Sequence, residues 1–165
     1  MRKLIIFSIC FIFLLGLGFV PRNLYAEVLT GSVTAVPDSF FGTWRVVSKL
    51  VDTDSVIFKE NNLDLWNLSR LGDVITLCNP FNGAEANITV NSVNGSYIVF
   101  RKTGKYSGKD LTDVVEIKLN GDTFSGTDTL KLDTYSDVTG KIIKTETAKY
   151  SIKGEKISGD VGSLK

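Results

Sequence analysis

Short strand patterns and turn signals alternate almost without interruption from Phe40 onward, and no other feature constrains the fold as strongly. Ala84, Ala86, Ile88 and Val90 share one face of a strand, with polar residues between them. No window after the N-terminal apolar run has helical spacing over a dozen positions, so we expect little helix. The pattern predicts an all-β fold with strands at 42–51, 63–69, 73–78, 84–92, 96–103, 112–119, 122–133, 140–152 and 155–160.

Glycine pairs mark the expected turns. Asn94-Gly95 and Asn120-Gly121 each lie between two strand patterns, and this pair favours the two-residue type I′ hairpin with positive φ. Leu71-Gly72 and Lys153-Gly154 occupy comparable places. Such tight turns join neighbouring antiparallel strands, so the sequence predicts an up-and-down meander of about eight or nine strands.

These strands must cover their edges. Closure into a barrel or flattened barrel removes the edges, whereas a two-sheet β-sandwich leaves short ones. Sequential hairpins favour the barrel, and residues 52–62 are expected to cover one side of it as a lid or a short helix. We expect a single barrel domain over residues 40–165, preceded by an irregular lead-in at 27–39.

Phe41-Gly42-Thr43-Trp44 opens the first strand of the meander. A G-x-W at this position, followed by about eight antiparallel strands, resembles the lipocalin and wider calycin group. The resemblance implies a barrel whose Trp plugs one end, while the other end is open to a small apolar ligand. Thr112-Asp113-Val114 partly resembles the second motif of that group, T-D-Y. The Arg that the group has near its final strand is missing, since Arg101 is the last Arg.

The first 26 residues have the order of a secretory signal. Met1-Arg2-Lys3 is positive, Leu4–Val20 is uncharged and apolar, and a polar stretch then ends at Ala26. We expect cleavage after Ala26 and a secreted or periplasmic protein. The alternative is membrane tethering by an uncleaved segment, because an apolar run of about 17 residues is close to the length that spans a bilayer.

Charge and composition exclude several functions. Cleavage would remove three basic residues and leave 16 against 18 acidic ones, a net charge of about −2. This mixed charge does not suit nucleic acid, which requires concentrated positive charge. No later segment is apolar and long enough to span a membrane. Cys78 would be the only thiol, so we expect no intramolecular disulfide, and we expect a monomer.

Catalytic and metal-binding patterns are lacking. The chain has no His, which excludes His-dependent triads and His-ligated metals. It has no nucleophile elbow, phosphate-binding loop or zinc spacing. An enzyme would need carboxylate chemistry by Asp128 and Glu146, which no other feature supports. We therefore predict a non-enzymatic protein without cofactor or metal.

One hairpin carries charged residues on its otherwise apolar face. Folding about Ser136-Asp137 would bring Asp128 near Glu146, with Lys144 one step further along. If these residues face inward, they would anchor a ligand in the barrel. Their burial is costly unless they form ion pairs or are hydrated. A bulge at Gly126 would instead turn them to water, and this simpler interpretation is our prediction.

Two functional hypotheses follow. In the first, an exported binding module holds a small apolar or amphipathic, lipid-like ligand in the barrel. Trp66, Phe100 and Tyr150 would line the cavity, with Lys144 or Arg101 as polar anchor, although filling of a core is the simpler role for the aromatic residues.

The second hypothesis is a protein-interaction module with a filled core. It would be an envelope-associated or secreted protein of structural or inhibitor-like function, and its partner would be an envelope or extracellular protein. The exposed apolar loop around residues 79–83 would favour this function. A lined void of several hundred Å³, about the size of known ligand pockets, would favour the first hypothesis instead.

Overall fold

The computed structural model describes residues 29–30 and 32–158, so the predicted signal at 1–26 lies outside the described residues. Two short 3₁₀ turns, Val33–Ala35 and Asp38–Phe40, interrupt the lead-in, and the described residues contain no α-helix. The strands are β1 (Leu29–Thr30), β2 (Gly42–Thr53), β3 (Asn61–Leu71), β4 (Val74–Cys78), β5 (Glu85–Asn94), β6 (Tyr97–Tyr106), β7 (Lys109–Asn120), β8 (Thr123–Tyr135) and β9 (Ile142–Ser158).

The eight strands from β2 to β9 form one closed ring. Each is antiparallel to the next strand along the chain, and β9 pairs back onto β2. The predicted all-β up-and-down meander is confirmed, and its closure makes it a barrel rather than two separate sheets. Closure satisfies the backbone groups that the first and last strands would otherwise leave unpaired. The short β1 pairs with Ser92 and Val93 of β5, beyond the end of β4.

The last two predicted strands are one continuous strand, β9, which pairs with both β2 and β8. The turn predicted at Lys153-Gly154 is therefore wrong. The Phe124 ring packs onto the backbone of Gly154, where an added Cβ would lie 2.1 Å from Phe124 Cε1. This Gly permits a close approach within the sheet and does not reverse the chain.

Three hairpin turns share one backbone pattern, but it is not the predicted type I′. Asn94 is the last residue of β5, so Gly95 and Ser96 are the two central residues of its turn. The φ angle is +58° at Gly95, and no non-glycine residue of the described chain has a positive φ. Positive φ at the first central residue alone is typical of a type II′ turn. In the other two turns, Gly72 and Gly121 are likewise the first of the two central residues and have positive φ.

The barrel end that carries these tight turns is closed by Trp44. The indole is fully buried, and its Nε1 donates a hydrogen bond to the Phe40 carbonyl at 2.9 Å. Lys156 Nζ lies 5.3 Å from the centre of the Trp44 ring, at a cation–π distance. Aromatic packing continues inward through Phe124, which stacks on Trp66 with ring centroids 5.9 Å apart.

The opposite end carries the longer loops, 54–60, 79–84 and 136–141. No helix forms within 52–62, where the flanking residues belong to β2 and β3. The loop 54–60 does fold back onto β9. The backbone N–H of Thr147 donates to Asp54 Oδ1 at 2.7 Å, and the Tyr150 hydroxyl donates to the Lys59 carbonyl at 3.0 Å. We call this end the open end.

Candidate functional site

Asp128 and Glu146 point into the barrel, contrary to the prediction that a bulge turns them to water. Pairing of β8 with β9 is continuous through Gly126, and its register shifts only between Thr134 and Tyr135. An added Cβ at Gly126 would lie 1.9 Å from the Glu116 carbonyl oxygen of β7. Glycine is therefore required here by close strand packing, and the inward-facing interpretation of this face is correct.

Asp128 and Glu146 are nevertheless far apart along the sheet. Asp128 is opposite Tyr150, whereas Glu146 is opposite Leu132, because the chain reverses over 136–141 rather than at 136–137. At about 3.3 Å per residue, the offset of four positions from 146 to 150 separates the two acids by more than 10 Å along the sheet. The expected Asp128–Glu146 pair does not exist.

Glu146 belongs to the rim of the open end. Its Oε1 accepts hydrogen bonds from Lys144 Nζ at 2.7 Å and from the Ser55 hydroxyl. These bonds hold the pKa of Glu146 below its ordinary value. The carboxylate therefore ties the loop 54–60 to β9, and the largely exposed Lys144 stays outside the barrel.

The interior contains a lysine that the sequence analysis did not select. Lys102 Nζ forms an ion pair with Asp113 Oδ2 at 2.6 Å and lies 5.9 Å from the centre of the Trp66 ring. Burial alone lowers the pKa of this amine, but the carboxylates of Asp113, Asp128 and Asp64 outweigh burial and raise it above its ordinary value. Lys102 is therefore charged. The sequence contains one indication that Lys102 faces inward: it stands two residues after Phe100 and therefore on the same face of the strand.

Two buried carboxylates each have one oxygen to which no described residue donates a hydrogen bond. Asp113 is 3% exposed and Asp128 is 8% exposed. Within the described part of the chain, neither Asp113 Oδ1 nor Asp128 Oδ1 has a hydrogen-bond partner. Burial and the neighbouring Asp113 raise the pKa of Asp128 to about 7, while Lys102 acts in the opposite direction.

A third carboxylate, Asp64, is fully engaged. Its Oδ2 accepts from the Trp66 indole Nε1 at 3.2 Å, and its Oδ1 accepts from the Leu65 backbone N–H at 2.9 Å and from the Asn79 amide. Asn79 also orders the loop 79–84, since its Oδ1 accepts from the Phe81 N–H at 2.8 Å. Asp64 thus fixes the orientation of the Trp66 indole.

These groups surround a cavity of about 190 Å³, which we call the interior pocket. Its lining combines acids, one amine, two aromatic rings and two leucines. The lining residues are Ser48, Asn62, Asp64, Trp66, Lys102, Leu111, Asp113, Asp128, Leu130 and Tyr150.

The wall of the barrel opens beside the interior pocket. Pairing between β5 and β6 ends at Ile88 and Lys102, so β7 is the one described strand that pairs with residues 103–106 of β6. A second cavity of about 160 Å³ lies at this opening and reaches Ala84, Ala86 and Gly104. We call it the seam pocket. It shares Asp64, Lys102, Leu111 and Asp113 with the interior pocket, so the two adjoin.

The structure brings together three of the seven residues that the sequence analysis selected. Trp66, Asp128 and Tyr150 line the interior pocket. Phe100 is fully buried in the aromatic core, with its ring centroid 6.3 Å from that of Trp66. Arg101 is exposed on the outer face of β6, and Lys144 and Glu146 lie at the rim.

Comparisons with known proteins leave the family open. No protein-family model, no curated protein and no solved structure matches this chain. Across residues 29–30 and 32–158, no helix has the length and apolar character that a membrane span requires. The same residues contain no group of three acidic or Cys side chains placed to hold a metal ion.

Proposed function

We propose that this protein is an exported, non-enzymatic binding module that holds a small amphipathic ligand at the open end of a lipocalin-like barrel. One observation carries the proposal: Asp113 and Asp128 line the same cavity, and each has a buried carboxylate oxygen that has no hydrogen-bond partner among the described residues. An unsatisfied buried polar group costs about 1–3 kcal/mol. A ligand that donates hydrogen bonds would recover this free energy.

The size of the cavity limits the ligand. The interior pocket, at about 190 Å³, is smaller than most ligand sites, which occupy roughly 300–1,000 Å³. A polar head with a short apolar portion suits this space, and a longer tail would leave through the adjoining seam pocket. Aromatic residues fill the other half of the barrel, so a long lipid chain enclosed along the barrel axis does not suit it.

Closed-end packing supports the likeness to lipocalins. Gly42-Thr43-Trp44 opens β2, and the Trp44 indole fills this end, as the resemblance implies. Lys156, on the final strand, places a cation over the Trp44 ring and donates a hydrogen bond to the Ser39 carbonyl at 3.0 Å. A lysine thus stands near the final strand, where the resemblance leads us to expect an arginine.

Export is part of the proposal and rests on the N-terminal charge and hydropathy pattern. Cleavage after Ala26 would release the barrel into the periplasm or the medium. A retained apolar segment would tether the same barrel to a membrane surface.

Native mass spectrometry tests the proposal on protein purified gently from its own host. We expect a non-protein mass that dissociates on denaturation. Leu130→Trp fills the interior pocket and should eliminate the bound mass, whereas Lys131→Trp places the same side chain on the outer face of β8 and should retain it. A bare protein mass for the wild type, together with flat titrations of lipid probes, would contradict the proposal.

A specific observation favours protein interaction as a second candidate. Phe81 is 82% exposed in the loop 79–84. Within this loop the Gly83 N–H donates to the Asn79 carbonyl at 2.9 Å. Crosslinking in the host tests this function: Phe81→Ser should remove a crosslinked partner, and Val138→Ser, at an equally exposed apolar position in another open-end loop, should not.

A further inference from the structure

Negative charge predominates among the groups that line the interior pocket. Its titratable lining residues are Asp64, Lys102, Asp113, Asp128 and Tyr150. Three carboxyl groups therefore face one amine and one phenol. The charge balance becomes more negative as Asp128 ionises.

The single amine that lines the pocket already has an anionic partner. Lys102 Nζ is 2.6 Å from Asp113 Oδ2, in a site where both groups are largely buried. A ligand carboxylate or phosphate that drew Lys102 away from Asp113 would leave that carboxylate buried without its partner, which is strongly unfavourable. The pocket thus disfavours an anionic head.

The unfilled hydrogen-bonding capacity consists of acceptors. Asp113 Oδ1 and Asp128 Oδ1 have no hydrogen-bond partner among the described residues, and both belong to carboxyl groups that line the pocket. An ammonium group carries three donors and no acceptor, and its hydrogen bonds to carboxylates are charge-assisted. It would satisfy both oxygens and offset their negative charge.

The remaining walls suit the organic part of such a ligand. Trp66 and Tyr150 contribute aromatic surface, and Leu111 and Leu130 contribute apolar contacts. The Trp66 ring already has Lys102 Nζ at 5.9 Å, so its face is one that attracts a cation. The described residues offer no group of three ligands for a metal ion, which favours an organic cation over a bare metal.

We infer that the ligand of the interior pocket is a small organic ammonium, such as a short primary alkylamine, with its head between Asp113 and Asp128. This inference rests on the proposed binding function and names its ligand class. A cation placed here lowers the pKa of Asp128, which burial and Asp113 raise to about 7. Binding near pH 7 therefore releases protons. The charged groups that face Asp128 are Lys102 on β6 and Asp113 on β7, with the Tyr150 phenol on β9.

Three probes of equal chain length test the inference: octylamine, octanol and octanoate. We expect isothermal titration of the purified protein at pH 8 to show octylamine binding at least tenfold more tightly than octanoate. Asp113→Asn and Asp128→Asn should each weaken octylamine at least tenfold and leave octanol within about threefold. Asp122→Asn removes the same charge from an exposed turn at the closed end and should change neither.

The binding results distinguish failure of the ammonium assignment from failure of the proposed binding function. Octanoate that binds as tightly as octylamine would overturn the ammonium assignment and leave the binding function standing. Octylamine binding that is unchanged in both pocket variants, with circular dichroism like that of the wild type, would also overturn it. Failure of all three probes to bind would contradict the proposed function together with the inference. Repeating the octylamine titration in buffers of different ionisation enthalpy should show the proton release near pH 7.

Discussion

Lys102 and Asp113 form an ion pair of 2.6 Å across β6 and β7, inside the barrel and beside the opening between β5 and β6. The pair uses one oxygen of Asp113, and the other has no partner within residues 29–30 and 32–158. Asp128, one strand further along, also has an oxygen for which this part of the chain supplies no partner. The barrel therefore holds a polar site at its open end, above an aromatic core that fills the closed end.

Lys102→Met should destabilise the fold through this ion pair. It leaves the Asp113 carboxylate buried without its counter-ion, and breaking a buried pair costs about 3–5 kcal/mol. We expect the lower part of this range, because the Lys102 side chain is 22% exposed. Urea unfolding measures the loss. The double variant Lys102→Met/Asp113→Asn should recover most of it, and a double variant no more stable than Lys102→Met alone would contradict this account.

Asp128→Asn should alter the pH dependence of stability. The pKa of Asp128 is about 7 in the folded protein, against 3.8 ordinarily, so the folded state binds the proton more tightly. The contribution of Asp128 to the free energy of unfolding is therefore most favourable below about pH 4. It declines as the pH rises to 7 and is constant above that. The variant should gain about 1–4 kcal/mol relative to wild type between pH 4 and pH 8. Urea titrations measure stability at each pH. If the curves of stability against pH for wild type and variant run parallel, the raised pKa of Asp128 is contradicted.

Gly154→Ala should be strongly destabilising because its Cβ would collide with the Phe124 ring, 2.1 Å away. Overpacking of this kind typically costs about 1–3 kcal/mol. The clash depends on the ring, so a double-mutant cycle should show a much smaller cost for Gly154→Ala when the chain already carries Phe124→Ala. Equal costs with and without the ring would show that Phe124 is not the reason for glycine at this position.

In the turn between β5 and β6, Gly95 and Ser96 are the two central residues, whereas Asn94 is the last residue of β5. Gly95 has φ of +58°, where an L-residue is strained, so Gly95→Ala should cost about 1–2 kcal/mol. Asn94 is a strand residue, and Asn94→Ala should change stability by less than about 0.5 kcal/mol. Thermal unfolding of both variants tests the turn type, because a type I′ turn centred on Asn94-Gly95 would make both substitutions costly.

Local patterns were sufficient to predict the ring of strands. Alternation around Ile88 and the glycines after β3, β5 and β7 predicted the meander and its hairpins. Gly126 and Gly154 were misinterpreted because a glycine has the same appearance in a sequence whether it serves a bulge, a turn or a close packing contact. Here both are packing positions, determined by Glu116 and Phe124 from neighbouring strands.

The candidate site was harder to predict because it depends on register. The Asp128–Tyr150 pairing is set by a chain reversal over 136–141 that extends beyond the predicted turn at 136–137, and the resulting shift in register separates Asp128 from Glu146. Lys102 was missed because a lysine in a strand usually faces water. Only the arrangement of β6 and β7 shows that Asp113 meets it inside the barrel.

The central claim is that the unpartnered oxygens of Asp113 and Asp128 receive a ligand. A high-resolution crystal structure of the protein purified from its own host tests this claim most directly. We predict ordered non-protein density in the interior pocket, continuous and larger than water, within hydrogen-bonding distance of both oxygens. A pocket that contains only separate water molecules, or one closed by repacked side chains, would contradict the account.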